Sequence, residues 1–192
     1  DIVLRTKIIG RQLLDYIAMS ALAIPGLVLG LGYLRTFYSI NLPWDNTPLA
    51  SWWFMIVIIL AVRRLPYALR ACNAVLMQIS KYLEESAESL GAQKISIFRK
   101  ILIPLMTGGL LAGFITSFST ATVELSATIM LVSTESEAPL AYAIYSYMQT
   151  AAGRGPGAAF GLIGVLIVAI GTYLSQLIIE KKYNQRGMEA KV

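Results

Sequence analysis

The chain has no histidine and a single cysteine, Cys72. No disulfide can close within it, no Cys/His zinc set can assemble, and no histidine-based catalytic triad is available. Charge is scarce as well. Asp, Glu, Lys and Arg make up 14% of 192 residues, against about 25% in an ordinary soluble domain. The opening stretch D-I-V-L-R-T-K-I-I-G-R-Q-L-L-D has no initiator Met and none of the basic, apolar and small-residue segments of a secretory leader. A start on Asp1 with a polar, basic lead-in suggests a piece cut from a longer protein, or a missing earlier membrane span.

Apolar side chains fill the space that charge leaves. Hydrophobic residues are 56% of the chain and the mean hydropathy is +0.64, which predicts an all-α, polytopic helical membrane protein. Crossing a bilayer takes about 20 helical residues. Four windows free of charge meet that length, between the charged positions 15 and 35, 45 and 63, 100 and 124, and 154 and 180. Pro25, Gly26, Gly30 and Gly32 in the first predict a bend or tight packing. Gly108, Gly109 and Gly113 in the third, and Gly161, Gly164 and Gly171 in the fourth, offer small faces for helix contact. The stretch 138–153 is uncharged but short, and Tyr142, Tyr145 and Tyr147 alternate with an apolar set at Leu140, Ala143, Ile144 and Met148. It reads as an interfacial or re-entrant helix within an external loop at 126–154.

Four spans put fourteen of the sixteen basic residues, Arg63 and Arg64 among them, on the side that holds both termini and the segment 63–100. By the positive-inside rule that side is cytoplasmic. The net charge of +5 is therefore topological, and with no basic stripe on one face no nucleic-acid partner is expected.

The cytoplasmic segment 65–104 stands apart from the spans. Leu69, Val75, Leu76, Ile79 and Leu83 recur at helical spacing and predict an amphipathic helix leading out of the membrane. The acidic cluster Glu84, Glu85 and Glu88 follows, then Gly91, where a sharp turn is easy. Beyond it, Ile95, Ile97 and Phe98 mix with Lys94, Arg99 and Lys100 in a short amphipathic piece whose apolar side chains could seat in a partner's groove. A plain solvated loop fits the composition equally well. Pro104 falls near the start of the third span, where a missing N–H is tolerated.

The pattern E-S-A-x-x-x-G, nine residues, then I-x-I-P resembles the E-A-A loop of permease subunits from binding-protein-dependent ABC importers. Glu85, Ala87, Gly91, Ile101 and Pro104 match it, with Ser86 in place of Ala and Ile103 in place of Leu. The runs L-P-Y-A-L-R (65–70) and A-I-P-G-L-V-L-G (23–30) resemble the same family, so the likeness covers nearly the whole chain. It implies a type I importer permease core over 1–192 in a bacterial inner membrane, with Glu85, Ala87, Gly91, Ile95, Phe98, Ile101 and Pro104 coupling to a cytoplasmic ATPase dimer. ATP and Mg would lie on that partner, because this chain has no P-loop and would bind no cofactor or metal itself. The resemblance also implies a second permease half, identical or fused, an external substrate-binding protein and a non-enzymatic role.

Glu124, flanked by Ser126 and Thr128, is the candidate for the substrate pathway, where it could meet a cationic or metal-bearing solute. Its structural alternative is a carboxylate at the outer interface or paired with Arg35 or Arg154. The wording around 23–34 and V-E-L-S-A-T (123–128) resembles permeases of the ferric-iron group, which makes iron(III) the first choice of cargo. The alternatives are 2-aminoethylphosphonate, thiamine, polyamine and sulfate. A channel or secondary transporter would need ligands at helix breaks near the midplane, which Pro25 and Gly26 fit loosely. An intramembrane enzyme would need paired acids at depth, whereas Asp15 and Glu180 sit at span ends. A non-transporting assembly subunit is the remaining class.

Overall fold

Long runs of Leu, Ile, Val and Ala can satisfy every backbone group within one segment only by coiling into helices, the constraint a bilayer imposes. The computed structural model describes Arg5, residues 9–44, 46–150 and 154–189, the last eleven by their backbone alone. It is helical throughout, and among the described residues the one β contact is an isolated bridge between Asn41 and Pro48. In chain order the helices are α1 (Arg11–Ala23), α2 (Gly26–Phe37), α3 (Trp53–Gln78), α4 (Tyr82–Ser89), α5 (Lys94–Thr122), α6 (Leu140–Met148) and α7 (Arg154–Glu189).

The four charge-free windows do not become four straight spans. Among the described residues two helices, Lys94–Thr122 and Arg154–Ile178, are long and apolar enough to cross a membrane, and a third candidate is the bent pair α1 and α2. The first window breaks at Ile24 and Pro25, where the axis turns by 106°. Proline supplies no N–H for the carbonyl four residues back, so the helix ends there. The second window and the expected amphipathic helix are one 26-residue element, α3, about 39 Å long at 1.5 Å per residue. Arg63, Arg64 and the buried Pro66 therefore lie inside a helix and not at its membrane boundary.

The short basic piece after Gly91 is also not separate, for it runs without a break into the long helix α5. A π-helical turn at Phe98–Leu102 precedes Pro104. Widening the coil there accommodates a proline that an ordinary helix interior would resist.

Helices α3 and α5 lie side by side and antiparallel, and glycine sets how close they come. A Cβ at Gly109 would stand 2.7 Å from a Val75 methyl and 2.9 Å from the Ala71 carbonyl, and one at Gly113 would stand 3.0 Å from the Ala68 backbone. Gly171 of α7 meets the Phe118 ring, while Gly157 and Gly164 receive Met148 and Leu140 from α6. Tyr147 stacks on Phe160 with ring centroids 5.3 Å apart. Gly32, Gly108 and Gly161 face open space, so the expected packing role holds for Gly26, Gly30, Gly109, Gly113, Gly164 and Gly171 and not for these.

The densest core lies around Ile56 and Ile59 of α3, with Leu29, Tyr33 and Leu34 of α2 packed against it. Ala127 and Leu131 complete it. The stretch after α5 thus turns back into the protein before it emerges, since Ala127, Thr128 and Leu131 are buried where an external loop was expected to begin.

Gly108 and Gly109 form a matched test of this packing. Gly109→Ala should destabilise the protein by about 1–3 kcal/mol, the usual cost of overpacking. Gly108→Ala, with nothing within 4 Å of the new methyl, should leave the melting temperature unchanged or raise it. Thermal unfolding of the two purified variants in detergent checks the contrast.

Candidate functional site

The loop between α3 and α5 is built on a helix-ending motif that the sequence spacing encodes. Helix α4 stops at Ser89, and Gly91 adopts φ +83°, a left-handed conformation in which a Cβ is strained. The Gly91 N–H donates to the Glu88 carbonyl at 2.9 Å, and the Ala92 N–H donates to the Ala87 carbonyl at 3.0 Å. This pair of bonds is a Schellman motif, with Ala87 three positions inside the helix end and Gly91 just past it. The A-x-x-x-G spacing is thereby a geometric requirement of one tight turn. Glu85 is exposed and sits 3.6 Å from Lys81 one turn earlier, while the Ser89 hydroxyl donates to its carbonyl.

What the loop exposes is apolar. Leu90 is 89% and Ile95 64% exposed, and Tyr82, Leu83 and Phe98 also face outward. The charged residues Glu85, Glu88, Lys94 and Arg99 fall in the same stretch of chain and are exposed as well. Ile101 is half-buried and Pro104 exposed.

Two residues outside the expected set anchor the loop to the body. Ile97 and Leu102 are buried, at 4% and 2% exposure. Arg5 is a third tie, because its Nη2 donates to the carbonyls of Leu76 (2.9 Å) and Ile79 (2.6 Å) at the end of α3. Its Nη1 lies 3.2 Å from Glu84 of α4. A cation at a helix C-terminus meets both the open carbonyls and the negative end of the helix dipole.

The second cluster lies at the far end of α5. Glu124 is 7% exposed, and its Oε2 accepts from Arg63 Nε at 3.2 Å and from Arg64 Nη2 at 2.5 Å. Its Oε1 accepts from the Ser126 hydroxyl at 2.5 Å and the Ala127 N–H at 3.2 Å. The arginines reach onward: Arg63 Nη1 donates to the Ile24 carbonyl at 3.1 Å and Arg64 Nη2 to the Thr120 carbonyl at 2.8 Å. Arg64 also lies over the Tyr67 ring, 5.8 Å from its centroid, and its buried Nε has no acceptor among the described residues. Thr128 is fully buried, with its hydroxyl donating to the carbonyls of Glu124 and Leu125.

This geometry corrects two expectations. Glu124 pairs with Arg63 and Arg64, not with Arg35 or Arg154. Both of its oxygens accept within the chain, and the hydroxyls of Ser126 and Thr128 are turned to Glu124 and to the backbone. Finally, Arg63 and Arg64 are level with the end of α5 and about 21 Å along α3 from Gln78, at 1.5 Å per residue. Sequence gave no sign of the pairing, because the partners stand 60 and 61 residues apart.

Comparison with known proteins bears directly on this arrangement. Residues 4–185 match the family model described as the binding-protein-dependent transport system inner membrane component. A ferric transport system permease protein of Actinobacillus pleuropneumoniae is 31% identical over 141 residues, which are 73% of this chain and 20% of that relative. A sulfate transport system permease protein of Salmonella typhimurium is 30% identical over 136 residues, 68% of this chain and 49% of the relative. A molybdenum transport system permease protein of Escherichia coli is 28% identical over 186 residues, 93% and 81% of the two chains. The chain spans less than half the length of the ferric and sulfate permeases it matches. With a match over nearly its full length and the glycine-ended loop in place, the chain belongs to the family of binding-protein-dependent transport system inner membrane components.

Proposed function

We propose that this chain is the permease part of an ABC importer that passes a small solute into the cytoplasm, driven by ATP hydrolysis on a separate ATPase dimer. One observation carries the reading: a Schellman turn presents Leu90, Ile95 and Phe98 to the outside beside Glu85, at the end of two packed helices. Glu85, Ala87, Gly91, Ile95, Phe98, Ile101 and Pro104 form the docking loop. Ala87, Gly91 and Pro104 shape it, and the others supply contact or anchorage. A surface that grips the nucleotide-bound and nucleotide-free ATPase differently converts that difference into movement of the spans.

The loop faces the cytoplasm in this reading. Removing Arg63 and Arg64 from the basic tally leaves twelve residues on the loop side against Arg35 and Arg154 on the other, so the positive-inside imbalance keeps its sign. Arg5 supports the same placement, since this cation bonds Leu76 and Ile79 at the end of α3 next to the loop. Trp44, Trp52 and Trp53, in ring contact at the opposite end of α3, suit the other interface. A second permease half, a copy or a fused one, completes the pathway, and an external binding protein delivers the cargo.

Iron(III) is the first choice of cargo, supported by the 31% and 32% identity to permeases named for ferric transport. Sulfate is the second, on the 30% identity to a permease named for that anion.

Two outcomes test the reading. Gly91→Val forces a β-branched residue into φ > 0 at a cost of about 1–3 kcal/mol. In vesicles holding the full permease with its ATPase it should abolish uptake while ATP hydrolysis continues, and normal uptake would count against the docking role. For the cargo, iron-loaded binding protein should stimulate ATPase activity of the reconstituted complex. Stimulation by a sulfate-loaded binding protein alone would replace iron with the anion and leave the importer reading standing.

A further inference from the structure

We propose that Glu124 is a positioning residue that sets the angle between α1 and α2 from both sides of the break and does not touch cargo. Only the purpose of that angle rests on the importer reading; the angle is a property of this chain. On one side of the break, Ile24 ends α1 and Pro25 offers no N–H. An open carbonyl facing hydrocarbon is strongly unfavourable. Arg63 Nη1 covers it while Arg63 Nε stays on Glu124. Two nitrogens of one rigid fork are held at once, so the vector from Glu124 to the end of α1 is fixed.

On the other side, the same carboxylate holds Ser126 and Ala127 through its second oxygen. Those two residues are what the first turns of α2 pack against. A Cβ at Gly26 would overlap the Ser126 hydroxyl, and one at Gly30 would come within 2.5 Å of the Ala127 carbonyl. Glu124 Oε2 thus fixes the end of α1 through Arg63, and Oε1 fixes the start of α2 through the 126–127 backbone. A cargo ligand needs a vacant oxygen, and neither one is vacant.

The experiment reads the angle directly. Spin labels are placed at Leu13 of α1 and Leu31 of α2, both exposed, in the full-length permease in lipid nanodiscs with Cys72 replaced by alanine. Pulsed electron resonance then gives the distance between them. The parent should show one narrow distance, and Glu124→Gln should broaden it or add a second population. Arg63→Lys is the milder variant should Glu124→Gln fail to insert. It keeps the charge, replaces the fork with a single ammonium, and should likewise broaden the distance distribution or add a second population. In uptake assays both variants should lose maximal rate at unchanged apparent KM. An unchanged distance in Arg63→Lys and in any Glu124→Gln that inserts would overturn the proposal, whether it came with a raised KM, which marks a cargo ligand, or with lowered thermal stability alone, which marks an ordinary ion pair. Loss of uptake in the parent itself would bear on the importer reading and leave the distance result intact.

Discussion

One carboxylate removed from water between two guanidiniums governs the half of the protein farthest from the loop. Each buried ion loses hydration worth several kcal/mol, and mutual attraction repays this only where the remaining donors and acceptors are also satisfied. Glu124 accepts from Arg63, Arg64, Ser126 and Ala127, which leaves little of its hydrogen-bonding capacity unused. Two cations face a single anion, yet the surplus charge is partly compensated. The C-termini of α1 and α5 point their carbonyls at the arginines, and each helix end is equivalent to roughly −0.5 charge. Two such ends offset part of that surplus, while the N-terminus of α2 beside Ser126 works the other way.

The same cluster is joined to the loop by a stiff connection. Helices α3 and α5 meet through Gly109 and Gly113 at separations where a single added methyl would collide with backbone. Interlocked helices of this kind do not slide past one another, because close-packed interiors resist continuous deformation. Arg64 and Thr120 fasten the pair at one end, and Ile97 and Leu102 are buried near the other. On the proposed function, displacement of the docking loop moves α3 and α5 together, and Arg63 carries that displacement to the break at Ile24.

Much of this was legible in the sequence, and the misses share one cause. Composition and charge-free windows gave the all-α membrane class. The glycines at 26, 30, 109, 113, 164 and 171 pack as small faces should, and Gly91 has the left-handed conformation that its place after an acidic helix suggested. The failures came from treating every charged residue as the edge of a span. Taking Arg63 and Arg64 as a boundary cuts α3 in two and puts them at the opposite face from Glu124. A charge can stay inside a helical bundle when its partner comes from another helix, and that partner lies some sixty residues away, beyond any periodicity. The burial of Ala127, Thr128 and Leu131 was missed for a related reason, since a segment between two spans reads as exposed unless something is known to hold it inward. Pro25 does signal a bend, but the size of the turn, 106°, is written in no local pattern.

The pairing within the cluster bears on what the permease can select. An unpaired carboxylate at that depth would favour a cation and repel an oxyanion, and a lone arginine would do the reverse. Glu124 is paired with both arginines within this chain, so its charge is answered there. On the proposed function, selection falls to the external binding protein, and the buried charges of this chain serve to hold its broken helix in one shape.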